Sequence, residues 1–160
     1  FIIRAKHEKD PWSGNIAFPG GRLNADGETA KEAAERETLE ELAIDLRSSS
    51  FLGQLDDLYG AIMPVLVSCF VYHLEGPVDL ELNYEIESSF WCPLPKLLEE
   101  DRHQQETFYY RGVQRTHPVV KLLDQQQPVL WGITYRLVRN FFCLCGHQFG
   151  TQDDILAKVE

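Results

Sequence analysis

A chain of 160 residues with 44% hydrophobic side chains is long enough for one domain with a sizeable core. Its formal net charge of −10 repels nucleic acid and anionic membrane surfaces, so a phosphate-bearing ligand must be drawn in locally, by bound metal or by a few arginines. No apolar run is long enough for a membrane span, and no signal peptide is visible. Phe1 leads straight into a strand-like run, which reads as a trimmed N-terminus and leaves a removed targeting segment open. Four cysteines are too sparse for a disulfide scaffold, so reduced thiols in a cytoplasmic setting are expected.

In chain order, Phe1 to Lys6 reads as a strand, broken by Asp10-Pro11. Trp12 to Phe18 is a loop or short strand, Pro19-Gly20-Gly21 a turn, and Asp26-Gly27 a second turn that leads into a helix. The pattern predicts that helix over Thr29 to Leu42. Ala30, Ala33 and Ala34 give it a small-residue face, and Leu39 and Leu42 are its apolar anchors. Phe51 to Leu55 and Val65 to Leu74 are strands, the second apolar enough to be fully buried with Cys69 inside it. Glu87 to Cys92 is another strand, and Pro93 to Leu98 a short helix with proline near its start. Phe108 to Arg111 and Thr116 to Val120 are expected to pair as a hairpin. Val129 to Leu144 reads as a buried helix, with Trp131, Tyr135, Val138 and Phe142 at helical spacing. Cys143-Leu144-Cys145-Gly146-His147 has a metal-like look. It lacks a second ligand pair, and its cysteines are expected as small buried side chains at a helix end. Strands and helices mix without an internal repeat, which predicts one α/β or α+β layered domain.

Glu37, Glu40 and Glu41 stand out. At spacings of three and four they share a helix face, and the three carboxylates are expected to converge on one small volume. Oxygen ligands at that density suit a hard cation such as Mg²⁺ or Mn²⁺. The placement opposes local stability. Carboxylates lie at the negative end of the helix dipole, and like charges four apart cost about 0.2–0.5 kcal/mol. A bound cation reverses both effects. The competing reading is a solvated acidic face, as most glutamate clusters on helices are. Gly20-Gly21 lets backbone approach the cluster and offer a carbonyl, and Arg36, paired with Glu28, can fix a carboxylate rotamer.

The run Gly21-x6-Glu28-x7-Arg36-Glu37-Thr38-Leu39-Glu40-Glu41-Leu42-Ala43-Ile44 resembles the Nudix box, G-x5-E-x7-R-E-U-x-E-E-x-G-U, with U aliphatic. The resemblance implies an α/β/α sandwich around a mixed β-sheet, with residues 1–160 as a single domain of this kind. It also implies a Mg²⁺-dependent hydrolase of nucleoside diphosphate derivatives, Mn²⁺ being an alternative cation. Glu37, Glu40, Glu41 and the Gly21 carbonyl become metal ligands, and Arg36 and Glu28 support the helix. Three departures stand: a glycine loop one residue longer, Thr38 for an aliphatic residue, and Ala43 for glycine, which costs roughly 1 kcal/mol if the backbone there is left-handed. The longer loop is similar to the coenzyme A pyrophosphatase branch. So are Gly14-x3-Phe18-Pro19-Gly20-Gly21, Leu52 to Asp57, Phe90 to Leu94 and Leu130 to Thr134. That branch usually has arginine where this chain has Asp10, so coenzyme A itself is expected to be a poor substrate.

The catalytic set implied is Glu40, Glu41, Arg36 and Glu28. Glu40, or a loop carboxylate among Glu99, Glu100 and Glu106, takes the proton from water. Arg22 is a candidate phosphate contact, or an exposed loop arginine. Asp57, with Asp56, lines the site or a solvated turn, and Tyr109 or Tyr110 stacks on a base or packs into the core. The partner is a small-molecule diphosphate: coenzyme A or a derivative, or else ADP-ribose or another nucleoside diphosphate derivative. Nucleic acid and membrane are not expected as partners, and a homodimer is allowed. A non-catalytic nucleotide-sensing module would show degraded box carboxylates, and none is degraded. An isoprenoid diphosphate isomerase would need a cysteine in the pocket, and Cys69 is expected to be buried in its strand.

Overall fold

The computed structural model describes residues 1–150 apart from 9, 11, 61–63, 77, 111 and 124–127, and the backbone only at 110. Two compact units divide the chain at Phe90/Trp91.

The first unit holds β1 (Ile2–Arg4), β2 (Ile16–Ala17), α1 (Ala30–Leu42), β3 (Ser50–Tyr59), β4 (Leu66–His73) and β5 (Ile86–Ser89). β1 lies between β2 and β5, antiparallel to both, and β3 pairs with β4 as an antiparallel hairpin. Ile2, Leu42, Ile44 and Ile86 form a buried cluster with Leu46, Leu74, Val78 and Leu80 against it, so the end of α1 is packed on β1 and β5. Backbone bonds add to this: Asn83 donates to the Glu41 carbonyl at 3.1 Å and Glu81 to that of Leu42 at 3.2 Å.

α1 starts where its sequence says. Thr29 is the N-cap, and a capping box links it reciprocally with Glu32. The helix stops at Ala43, which is left-handed at φ 58°, its N–H bonded to the Leu39 carbonyl at 2.9 Å. Leu39 is not an apolar anchor: it is 42% exposed, while Thr38 is buried, its hydroxyl donating to the Ala34 carbonyl at 2.7 Å. The hydroxyl is satisfied within the helix, so Thr38 can fill an aliphatic position. Lys31 and Glu35 fasten the helix to the hairpin. Tyr72 donates to Glu35 Oε1 at 2.7 Å, and Lys31 Nζ pairs with the same oxygen at 2.7 Å while lying over the Phe51 ring.

Three further expectations need correction in this unit. β3 runs to Tyr59, four residues beyond Leu55, because a bulge between Leu55 and Leu58 absorbs Asp56-Asp57 without ending the pairing. β4 is half-buried along its middle, not fully buried, since a two-stranded hairpin leaves one side open. Cys69 is accordingly half-buried.

In the second unit a 3₁₀ turn at Leu94–Leu98 follows Pro93, as expected. β6 (His103–Tyr110) and β7 (Val113–Val120) form the expected antiparallel hairpin at greater length. α2 spans Gly132–Leu144 and buries Tyr135, Val138 and Phe142. It begins three residues later than its periodicity suggests, because Trp131 caps it in extended conformation and stacks on Phe108 at 4.1 Å. Cys143 and Cys145 are exposed, not buried, since the last turn of α2 projects them outward. All pairings among the described strands are antiparallel.

Candidate active site

The site is built on the turn after β2 and on the face of α1 above it. Phe1 stacks on Phe18 at 4.9 Å and on Phe90 at 5.6 Å, which fixes the chain where it enters the turn. At Gly21 a Cβ would collide with the Glu37 carboxylate, so only glycine lets the two approach. At Gly20 the backbone N–H donates to Glu41 Oε2 at 3.0 Å. The two glycines therefore receive one box carboxylate each.

Arg36 organises the rest. Its Nε and Nη2 grip both oxygens of Glu28 at 2.7 and 3.0 Å, a bidentate pair. Nη2 also donates to the Arg22 carbonyl at 3.1 Å, and Glu28 accepts from the Asn24 N–H at 2.8 Å. The loop from Arg22 to Glu28 is thus lashed to the helix. Nη1 donates to Glu37 Oε1 at 2.8 Å and reaches Glu40 Oε2 at 3.3 Å. The guanidinium beside Glu28 holds that carboxyl below its usual range, helped by the Asn24 N–H. Glu28 in turn, with Glu37, raises Arg36 well above the ordinary arginine value.

Glu41 differs from its neighbours. It is 2% exposed, and burial pushes its carboxyl up to about 7. The Gly20 N–H and the charge of Arg4 work against that rise, while Glu37 and Glu85 add to it. A buried carboxylate with one backbone donor and acidic neighbours is short of positive charge.

Gly21, Glu28, Arg36, Glu37, Glu40 and Glu41 are thus assembled around one turn. The expected convergence of the three box carboxylates is not realised: among the described residues no three His, Cys, Asp or Glu side chains are gathered to hold a metal ion. Arg36 draws Glu37 and Glu40 to itself, and Glu41 turns inward to Gly20, because three bare carboxylates repel. The donors still fit a hard divalent cation. All are oxygens, one is buried with no cationic side chain paired to it among the described residues, and the glycine cradle brings backbone against Glu37.

The other expected side chains are exposed or have other partners. Arg22 is exposed, and its carbonyl is the atom used here. Asp57 sits exposed in the bulged part of β3, accepting from Gln54 Nε2 at 3.2 Å, and Asp56 is exposed beside it. Glu99 pairs with Arg102 and Glu106 with Lys121, all in the second unit, as is the exposed Tyr109. The Tyr110 side chain lies outside the described residues. Burial raises the Cys69 thiol to about 11, which leaves it protonated and a poor acid. Sequence reasoning missed the contact between Arg4 and Asp10. The signal available was a cation six residues before an acid across a turn.

The loop–helix arrangement sets arginine-bridged glutamates against a glycine turn. A family model described as the NUDIX domain matches residues 1–111, and the chain belongs to the Nudix family. It is 35% identical over 126 residues to an uncharacterized protein of Schizosaccharomyces pombe, covering 73% of this chain and 38% of that one. It is 32% identical over 124 residues to a peroxisomal coenzyme A diphosphatase of Caenorhabditis elegans, covering 76% and 50%. It is 29% identical over 142 residues to a mitochondrial coenzyme A diphosphatase of Mus musculus, covering 84% and 64%. The chain therefore resembles the coenzyme A diphosphatase-like branch and spans between 38% and 64% of the length of these three relatives.

Proposed function

We propose that this chain is a Mg²⁺- or Mn²⁺-dependent pyrophosphohydrolase cleaving the diphosphate linkage of a nucleotide-linked small molecule, with coenzyme A or a derivative as first candidate. The observation that carries it is Glu41, a buried carboxylate on the Gly20 N–H, beside Gly21, whose missing Cβ makes room for the Glu37 carboxylate. Glu37, Glu40, Glu41 and the Gly21 carbonyl would hold the cation. A divalent cation held there would supply charge neutralisation on the diphosphate and a nucleophilic water. Glu40, with its side chain 55% exposed and its contact to Arg36 long, is the least engaged of the three carboxylates and would accept the proton from the attacking water. Arg36 and Glu28 hold loop and helix together, and Arg22 reaches solvent beside the turn as a phosphate contact, with Asp57 a further substrate contact.

Coenzyme A leads because two relatives are named as coenzyme A diphosphatases. Asp10 no longer counts against it, since its carboxylate is engaged by Arg4. ADP-ribose and other nucleoside diphosphate derivatives form the second substrate class. The same reading takes residues 1–160 as one domain with the family's α/β/α sandwich around a mixed sheet, which an experimental structure tests. Among the described residues no helix is long and apolar enough to cross a membrane. The four free thiols suit a reducing compartment, the cytoplasm among them; the two named relatives are peroxisomal and mitochondrial.

The test is incubation with coenzyme A, ADP-ribose, dinucleotides and nucleoside triphosphates in Mg²⁺ and in Mn²⁺, with products read by mass. A pair of phosphomonoesters from one diphosphate supports the reading. Nucleotide binding without product under either metal makes the chain a sensing module, and hydrolysis is then wrong.

A further inference from the structure

Arg4 ends β1, and its backbone is held from two sides. Its N–H bonds to the Asn15 carbonyl at 3.1 Å and its carbonyl accepts from Gly14 at 3.0 Å, while across the sheet it registers with Ile86 of β5. The residues beside that partner reach the site: Ala5 N–H bonds to the Glu85 carbonyl at 2.8 Å, and Asn83 N–H to the Glu41 carbonyl at 3.1 Å. The Arg4 guanidinium donates through Nε alone, to Asp10 Oδ2 at 2.9 Å. Among the described residues Nη1 and Nη2 have no hydrogen-bond partner, and the side chain is partly open to solvent. Four N–H donors of the planar fork are thus left for a ligand.

Asp10 is itself immobilised. Its other carboxylate oxygen accepts the Trp12 N–H at 2.9 Å, its own N–H bonds to the His7 carbonyl at 3.0 Å, and Ser13 N–H bonds to its carbonyl at 3.1 Å. Ser13 Oγ closes the loop on both backbone groups of His7. An acid clamped this firmly fixes the roll of the guanidinium through Nε and leaves the outer edge to a ligand. In contrast, Arg36 spends its donors on Glu28, Glu37, Glu40 and the Arg22 carbonyl.

We propose that Arg4 is a phosphate-anchoring residue of the site, binding a phosphate of a nucleoside diphosphate through Nη1 and Nη2, and that Asp10 is the residue that positions it. The proposal rests on the site being one for diphosphates. It reverses what Asp10 means: replacing it with arginine would strip Arg4 of its partner and place two like charges together.

Calorimetric binding of ADP in EDTA, with adenosine as the phosphate-free control, tests it in the full chain. Arg4→Gln should weaken ADP at least about tenfold and leave adenosine unchanged. Arg4→Lys keeps charge without the planar fork and should recover only part of the loss. Asp10→Asn retains an oxygen for the Trp12 N–H and should weaken ADP about threefold, with no further loss on top of Arg4→Gln. Melting curves identify a variant that has not folded. If Arg4→Gln has not, the Arg4→Lys loss decides. Unchanged ADP affinity in the Arg4 variants, an equal loss for adenosine, or a wild type that binds ADP no better than adenosine would each overturn the anchor. Arg4-dependent ADP binding with no product from any diphosphate leaves the anchor standing and removes hydrolysis; products with ADP binding indifferent to Arg4 do the reverse.

Discussion

At position 21 anything larger than hydrogen meets the Glu37 carboxylate. The obstacle is the far end of a flexible side chain, so Glu37 can swing away. Gly21→Ala should therefore cost little stability, within about 0.5 kcal/mol, because it creates neither a cavity nor a buried orphan. What it should lose is function: Glu37 leaves the turn, and the rise in Tm that Mn²⁺ gives the wild type should shrink severalfold, along with hydrolysis. Paired melting curves with Mn²⁺ and with EDTA check this, and a full metal-dependent shift in the variant would remove Glu37 and Gly21 from the site. Glu41 makes a complementary case. Glu41→Gln keeps an oxygen for the Gly20 N–H but removes the charge, so hydrolysis should fall by more than about a hundredfold while the fold survives. Near-normal turnover at saturating Mg²⁺ would refute the ligand assignment. Both residues were legible as a motif. Their different roles were not, because the burial of Glu41 depends on segments 81–86 folding back onto the helix end.

Among the elements, α1 was readable to within a residue because its signals are local: a capping box at one end and small residues along one face. Its buried stripe was not. Periodicity offers Leu39 and Thr38 equally good positions, and the hydroxyl bond of Thr38 to Ala34 decides between them. β3 outran its expected end for a similar reason, since two aspartates that look like a turn are carried by a bulge. The start of α2 was misjudged because Trp131 is apolar at helical spacing yet packs on Phe108 from outside the helix. The end of α1 gives the element-scale prediction. Ala43 is the one described non-glycine residue at positive φ, so Ala43→Gly should stabilise the protein by about 1 kcal/mol and raise Tm. Metal affinity should not change, because the strain lies in the cap and not in the ligands. A falling Tm on this change would mean that the left-handed cap is not the native one.

For the molecule as a whole, the excess of acid sets how stability responds to pH and metal. Glu41 has an ordinary value of 4.5 and a folded value of about 7. Between those values the folded chain holds a proton that the unfolded chain has released, so this group's stabilising contribution is full below 4.5 and is lost as pH rises towards 7. The loss is on the order of 3 kcal/mol. Other groups act in the opposite direction. Arg36 holds Glu28 low and Lys31 holds Glu35 low, so both stabilise above the carboxylate range and lose that on acidification. His117, kept neutral by burial, destabilises as the unfolded histidine protonates below about 6.5. The profile of the wild type alone would mix these. Subtracting it from that of Glu41→Gln isolates one group, because glutamine resembles the protonated acid and does not titrate. In EDTA the variant should match the wild type near pH 4.5 and become progressively more stable up to pH 7, with a plateau beyond. Saturating Mg²⁺ or Mn²⁺ at pH 8 should close or invert that gap, since the cation binds only the wild type's carboxylate strongly and stabilises the folded state by mass action. Denaturant unfolding of both proteins across pH 4.5–8, with and without metal, measures it. A difference that is flat with pH would show that Glu41 titrates normally. A gap that metal leaves untouched would show that the charge-starved carboxylate serves something other than a cation.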